Sequence, residues 1–172
     1  MEIKSPWEID DNLIEWMIKN IKYGSSILEL GSGVGTLKLK KHWEVTSIEH
    51  DPAYLNIIDH KYIYAPLKKH KPLCNYPSDD LWYDRTVLRE NLLDLQYDIL
   101  LVDGPPSPNR VGLIKYWTLF NPNIMWVFDD LHRDQERKLV HGISRRLKRE
   151  YIVYNAEEKQ GSRPFGVIYP VK

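Results

Sequence analysis

The stretch Ile27-Leu28-Glu29-Leu30-Gly31-Ser32-Gly33-Val34-Gly35-Thr36 decides the fold. An apolar run with an acid near its end stops at three glycines spaced two apart. That is the pattern of a buried strand passing into a tight turn. Glycine tolerates the positive φ such a turn needs and has no side chain to block a ligand approaching the backbone. A nicotinamide-type fingerprint runs G-x-G-x-x-G/A. Aligned on Gly31 and Gly33, its third small position falls on Thr36 and Gly35 is out of register. The pattern here is E-x-G-x-G-x-G.

Outward from this turn, strand and helix signals alternate. Residues 9–22 carry Ile9, Leu13, Trp16, Met17 and Ile21 at helical intervals, with Asp10, Asp11 and Asn12 suited to the start and Gly24 to the end. Residues 26–30 form the first strand, 43–49 the second and 61–65 a short third. Asp51-Pro52 is expected to open a helix, with Asp51 as N-cap and Pro52 in first helical position. Residues 66–96 are polar and irregular, and part of them is expected to form a loop or short helix over the active face. Residues 98–103 and 123–129 are uninterrupted apolar strands ending in acids, typical of parallel sheets covered on both faces. A helix is expected around 112–120 and a longer one over 132–149. Two last strands, 151–154 and 164–171, meet through a turn around Gly161. The whole predicts one domain, residues 1–172, with an α/β, Rossmann-like doubly wound, mainly parallel seven-stranded sheet and one antiparallel edge strand.

Ligands of open α/β sheets bind beyond the carboxyl ends of the strands. Glu49 ends the second strand, where a carboxylate can accept both hydroxyl protons of a ribose; alternatively it caps the next turn. The glycine motif and element order together resemble the class I S-adenosylmethionine-dependent methyltransferases over nearly the whole chain. The resemblance implies S-adenosylmethionine as cofactor, with its methionine end near Gly31, Ser32 and Gly33. It makes Glu49 the ribose-binding acid and places His50, Tyr64 and Ala65 near adenine. Glu29 would orient the loop or reach the amino group through water, or would only tie down the glycine turn. His50 is alternatively an exposed loop histidine.

Two further motifs are Val102-Asp103-Gly104-Pro105-Pro106-Ser107 and Phe128-Asp129-Asp130-Leu131-His132-Arg133. If the fourth and fifth strands are neighbours, Asp103, Asp129 and Asp130 converge, with Asp129 ending its strand and Asp130 in the turn. Packed carboxylates repel unless something positive sits among them. A hard divalent cation, Mg²⁺ or Mn²⁺, answers that need and would lower the pKa of a bound hydroxyl. Asp103 or His132 would then take the proton. Alternatively Asp130 caps the following helix, Asp103 contacts only the cofactor, and Arg133 neutralises the acids. Asp followed later by Asp-Asp resembles the metal-dependent sugar O-methyltransferases, which implies a small-molecule or glycan acceptor; their extra N-terminal and lid segments are lacking here.

Lys plus Arg equals Asp plus Glu at 24 each, and this zero net charge argues against a dedicated nucleic-acid binder. A nucleic-acid methyltransferase remains the rival enzyme, and an inactive cofactor-binding subunit the non-enzymatic alternative. Lys68, Lys69, His70 and Lys71 could meet phosphate or form a solvated loop, and Trp82 and Tyr83 could stack on a sugar. One cysteine, Cys74, rules out an internal disulfide and suits a reducing, cytoplasmic setting. No apolar run approaches the length of a membrane span, and Met1 to Pro6 lack a signal-peptide core.

Overall fold

The computed structural model describes residues 9–71, 81–154 and 163–171. In chain order the elements are α1 (Asp11–Asn20), β1 (Ser26–Leu30), α2 (Val34–Leu39), β2 (Glu44–Glu49), β3 (Lys61–Tyr64), β4 (Leu67–Lys69), β5 (Leu81–Tyr83), α3 (Arg85–Leu92), β6 (Ile99–Val102), α4 (Leu113–Tyr116), β7 (Met125–Phe128), α5 (Asp134–Leu147), β8 (Ile152–Tyr154) and β9 (Phe165–Ile168). Seven of the strands make one sheet in the order β3-β2-β1-β6-β7-β9-β8. The first five run parallel, and β9 pairs antiparallel with both β7 and β8. The single antiparallel strand therefore lies one in from the edge, with β8 outermost. The turn expected around Gly161 lies outside the described residues.

Alternation along the strands divides the core in two. Ile27, Ile99, Leu101 and Val127 pack with Leu13, Met17 and Leu39 from the side of α1 and α2. Leu28, Leu30, Leu100, Val102, Trp126 and Phe128 face the other way, against Leu88, Leu113, Leu139, Val140 and Ile143 of α3, α4 and α5. Successive strand residues point to opposite faces, so an apolar run with no polar interruption suits a strand covered on both sides. Helix α1 starts where its caps allow: the Asp10 carboxylate accepts from the Asn12 N–H at 2.9 Å.

Two expectations fail locally. Asp51 does cap, accepting from the Ala53 N–H at 2.9 Å, and Pro52 follows, but only a 3₁₀ turn over Pro52–Tyr54 results. Residues 50–60 must also climb back to β3, which leaves no length for a full crossover helix, and Asn56 breaks the run with a φ of 61°. Within residues 66–96 a short helix is present as α3, but β4 and β5 pair antiparallel as an unexpected two-stranded ribbon before it. Trp82 and Tyr83, expected as sugar-stacking aromatics, are each 1% exposed. They are core residues, so that role is corrected. Lys68 pairs with the Asp84 carboxylate rather than standing free for phosphate. No helix among the described residues is long and apolar enough to cross a membrane.

The turns after β1 and β6 meet backbone to backbone. Gly31 has a φ of +89°, and a Cβ there would sit 3.2 Å from the Gly104 Cα and N. A Cβ on Gly104 would sit 2.7 Å from the Gly31 Cα and N and 2.9 Å from the Tyr83 hydroxyl. Gly35 is small for another reason: a Cβ would strike the Ile9 side chain at 2.7 Å. Gly104→Ala is expected to lower stability by about 1–3 kcal/mol or more, since backbone cannot move aside as a side chain can. Urea unfolding measures this, and an unchanged midpoint would refute the packing account.

Candidate active site

The carboxyl ends of β1, β2, β6 and β7 open on one cleft of about 270 Å³. Gly31, Ser32 and Gly33 line one wall, Glu49, His50 and Asp51 the next, and Asp103 to Pro106 the third; Tyr54, Arg110, Asp130 and Arg163 close it. Of the residues expected at the site, Gly31, Ser32, Gly33, Glu49, His50, Asp103 and Asp130 line this cleft. Glu29, Tyr64, Ala65, Asp129 and His132 are not among its lining residues. Ala65 is fully buried, with its N–H donating to the Glu49 carbonyl at 2.8 Å. Tyr64 is exposed.

Glu29 is 1% exposed and points to the α2 side of the sheet. The Thr36 hydroxyl donates to its carboxyl at 3.0 Å, and the Ser47 hydroxyl donates to it as well. The Gly33 N–H in turn donates to Thr36 Oγ1 at 3.1 Å, so Glu29 ties the glycine turn down through Thr36. Burial pushes its carboxyl up to about 8, against the lowering effect of the two hydroxyls. Glu49 meets different partners. Its Oε2 accepts from the Ser32 N–H at 2.9 Å and the Ser32 hydroxyl at 3.1 Å. Its Oε1 accepts from the His50 and Asp51 N–H groups at 2.6 and 2.8 Å and lies 2.8 Å from His50 Nδ1. Burial raises its pKa, but the His50 and Asp51 hydrogen bonds outweigh it and hold Glu49 below its ordinary value.

The acids after β6 and β7 do converge. The Asp129 N–H still bonds the Val102 carbonyl at 3.2 Å, extending the ladder, and Asp130 then turns the chain with a φ of 65°. Arginines occupy the space between them. Asp130 accepts from Arg163 Nη1 at 2.7 Å and faces Arg133 Nη1 at 3.0 Å and Arg110 Nη1 at 3.5 Å. Arg110 reaches Asp103 Oδ1 at 3.5 Å and also donates to the Asp103 carbonyl. Burial and the neighbouring Asp129 charge raise Asp103 well above its usual range, with Arg110 opposing. Burial and Asp130 push Asp129 up to about 6, with Arg163 opposing. His132 Nδ1 is 3.9 Å from Asp130 Oδ1, and its side chain is 42% exposed.

The expected metal ligands Asp103, Asp129 and Asp130 are therefore not arranged as a cation site. Guanidinium groups supply positive charge among the three acids, and their N–H donors meet both oxygens of Asp130 and Oδ1 of Asp103, while Asp129 Oδ2 lies 3.8 Å from Arg163 with no hydrogen-bond partner among the described residues. Among the described residues no group of three acid, His or Cys side chains is placed to hold a metal ion. Arg110 and Arg163 were not singled out from sequence. Arg110 had a signal: a lone cation before the apolar run Val111 to Ile114 must be buried or must break the pattern. Arg163 had none, since only the return of the chain into β9 brings it to Asp130.

No family model matches the chain, and no curated protein matches it in sequence. Solved structures do match in shape. A candidate O-methyltransferase from Klebsiella pneumoniae superposes with a TM-score of 0.62 at 11% identity, over 98% of this chain and 84% of that one. The O-methyltransferase from Bacillus cereus, in complex with S-adenosylhomocysteine, gives 0.57 at 13% identity over 96% and 84%. Fibrillarin from Aeropyrum pernix, with bound S-adenosylmethionine, gives 0.56 at 11% over 86% and 67%. The chain has the fold of the class I S-adenosylmethionine-dependent methyltransferases. Within this methyltransferase fold, Glu29 occupies the first acidic position of the glycine motif, yet here its contacts are with Thr36 and Ser47.

That placement has a pH signature. Below the ordinary value of 4.5, Glu29 is protonated in both folded and unfolded chains, so its burial costs no ionisation. Between 4.5 and about 8 the unfolded chain ionises while the folded one stays protonated, so stability falls as pH rises through that window. Glu29→Gln carries no proton in either state. Its stability relative to the native chain is expected to rise from pH 4.5 to pH 8 by on the order of 3 kcal/mol. Parallel urea titrations of both chains at several pH values test this; a constant difference would place an ionised Glu29 in the folded state.

Proposed function

We propose that this chain is an S-adenosylmethionine-dependent O-methyltransferase acting on the hydroxyl of a sugar or glycan, with Asp103 as general base. The observation that carries the proposal is one cleft, in a methyltransferase fold, uniting the open backbone of Gly31 to Gly33, the Glu49 carboxylate and Asp103. Bound S-adenosylmethionine would supply a methyl group activated by a positive sulfonium. The residues present fit it. The turn at Gly31 leaves backbone open to the cleft, and the Glu49 carboxylate, held below its ordinary pKa, lines it. All its acceptor positions are taken by protein donors, about four on a carboxylate. The Ser32 hydroxyl and the His50 ring are the two side-chain donors that would turn aside for ribose hydroxyls, leaving the backbone N–H groups to hold Glu49 in place.

Methyl transfer to oxygen forms a C–O bond as the C–S bond breaks, and the hydroxyl proton must leave. Asp103 lines the cleft, and burial with the Asp129 charge raises its carboxyl above the usual carboxylate range, which makes its ionised form a stronger base toward the acceptor hydroxyl. His132 stands outside the lining, so Asp103 is the better base. No step is routed through a divalent cation, because arginines already hold the acids.

Four lining carboxylates, Glu49, Asp51, Asp103 and Asp130, face two lining arginines, Arg110 and Arg163. That excess supports a neutral hydroxyl acceptor over a phosphate backbone, which the acids would repel. We place the reaction in the cytoplasm with a small-molecule or glycan partner, consistent with a single cysteine.

Calorimetry is expected to show binding of S-adenosylmethionine and S-adenosylhomocysteine and none of NAD. Glu49→Ala should weaken binding by about 1.5–3 kcal/mol, the scale of hydrogen bonds to a charged group. Unchanged affinity would remove Glu49 from the ribose role, and no binding by the native chain would end the proposal.

Transfer itself is tested by a screen of neutral glycosides and phosphorylated sugars with methyl-labelled cofactor. Asp103→Asn is expected to lose most of kcat with cofactor affinity nearly intact, because the lost group acts on the acceptor hydroxyl. Retained kcat in that variant would transfer the base role elsewhere.

A further inference from the structure

Arg110 is the one lysine or arginine among the described residues that the fold buries, at 4% exposure. Its guanidinium sits where three elements converge. It donates to the Asp103 and Pro105 carbonyls in the turn after β6. It faces Asp130 Oδ2 at 3.5 Å after β7 and Glu136 Oε1 at 3.7 Å in the first turn of α5. Glu136 is itself 2% exposed, and neither of its oxygens has a hydrogen-bond partner among the described residues. Arg110 is thus the nearest positive charge to a buried carboxylate as well as a link between the other two acids.

We infer that Arg110 stands in the place of a divalent cation, bracing Asp103 from both its carbonyl and its carboxylate, and that the chain's chemistry needs no divalent ion. The bracing role rests on the proposal that Asp103 is the base. Hard cations take six or more oxygen ligands, and here both Asp130 oxygens and Asp103 Oδ1 face guanidinium N–H donors. A guanidinium is permanently charged, and its planar fork can hold a carbonyl and a carboxylate at once. A metal ion entering this space would have to expel a buried guanidinium and strip it of its partners. Asp103 is thereby fixed at the cleft wall by a group that cannot dissociate, and the resulting orientation does not vary with cation supply.

Manganese alone is the probe, followed by loss of the free-ion EPR signal on titration. The native chain is expected to take up no Mn²⁺ at about 1 mM, the weak end of oxygen-ligand sites. Arg110→Gln removes the charge facing Asp103 and Glu136, while Asp130 keeps Arg133 and Arg163, and the variant should bind Mn²⁺ about tenfold or more tightly than the native chain, since unpaired buried acids seek a cation. Glu136→Gln added to that variant should cancel the gain. Arg110→Lys keeps the charge and should restore exclusion. Uptake of Mn²⁺ by the native chain that Asp103→Asn abolishes would overturn the inference, and that result needs no Arg110 variant to fold. A folded Arg110→Gln chain with no gain would overturn it too. S-adenosylmethionine calorimetry on the same samples keeps the two proposals apart: failure there removes the transferase reading, while the Mn²⁺ titration still decides the cation.

Discussion

Gly31 and Gly104 lie against each other with no room between them for a Cβ on either, and the geometry of the cleft depends on that contact. Strands β1 and β6 are in parallel register, Leu30 beside Val102, and the Asp103 N–H continues the ladder to the Leu30 carbonyl at 3.2 Å. The two chains must then leave the sheet side by side. Only glycine at both exits lets the turns touch, and touching places the open backbone of Gly31 to Gly33 next to Asp103. The spacing between the glycine wall and the acid wall is thus set by backbone, which has few ways to relax. Tyr83 seals the junction from below: its buried hydroxyl is the side-chain atom nearest the Cβ that Gly104 lacks.

Above that junction, two glutamates on neighbouring strands show how partners decide charge. Glu29 pairs in register with Ser47, and the side-chain groups that meet its carboxyl are hydroxyls. Hydroxyls can donate to a carboxyl or accept from it, so nothing compels ionisation, and burial keeps Glu29 protonated near neutral pH. Glu49 faces backbone N–H groups from Ser32, His50 and Asp51, which can only donate, and it stays ionised. One carboxyl anchors the glycine turn as a neutral group; the other presents charge to the cleft. The residue type is the same; Glu49 also meets a hydroxyl, from Ser32, and the difference lies in the His50 ring and the backbone amides that it gains.

How much of this was legible in the sequence depended on range. The strands of the parallel sheet announced themselves because burial on both faces demands uninterrupted apolar runs, and their terminal acids marked the rim. The glycine spacing of residues 31 to 35 marked the turn, although Gly35 proved to serve packing against Ile9. The crossover after β2 was misjudged because a good cap and a proline fix only the first turn of a helix. Further turns need chain length, and too little is left before β3. The β4–β5 ribbon was missed because its strands are three residues each and are separated by more than ten residues of sequence. The arginines were the least legible part. Arg133, three residues on, pairs with Asp130 locally as the alternative reading had it, but Arg110 and Arg163 reach the same carboxylate from separate segments, and pairings of that kind exist only once the chain has closed. Sequence spacing could show that the acids must meet a positive charge, but not whether it would be a metal or a guanidinium.

That distinction bears on the charge balance of the proposed reaction. A metal ion would have added two positive charges to the cleft and lowered the pKa of a bound hydroxyl. Arginines are already matched against Asp130 and Glu136, so they leave the lining carboxylates in excess. Such a cleft attracts a donor carrying a positive sulfonium and is indifferent to a neutral hydroxyl. Transfer removes the sulfonium charge and releases one proton, so the cleft becomes more negative unless an acid takes that proton up. Asp103 lies on the lining with its carboxyl raised by burial and by Asp129, and protonating it restores the balance that held before transfer. The crowding of Asp103, Asp129 and Asp130, which first suggested a cation, serves on this reading to make one of them basic enough to accept the proton.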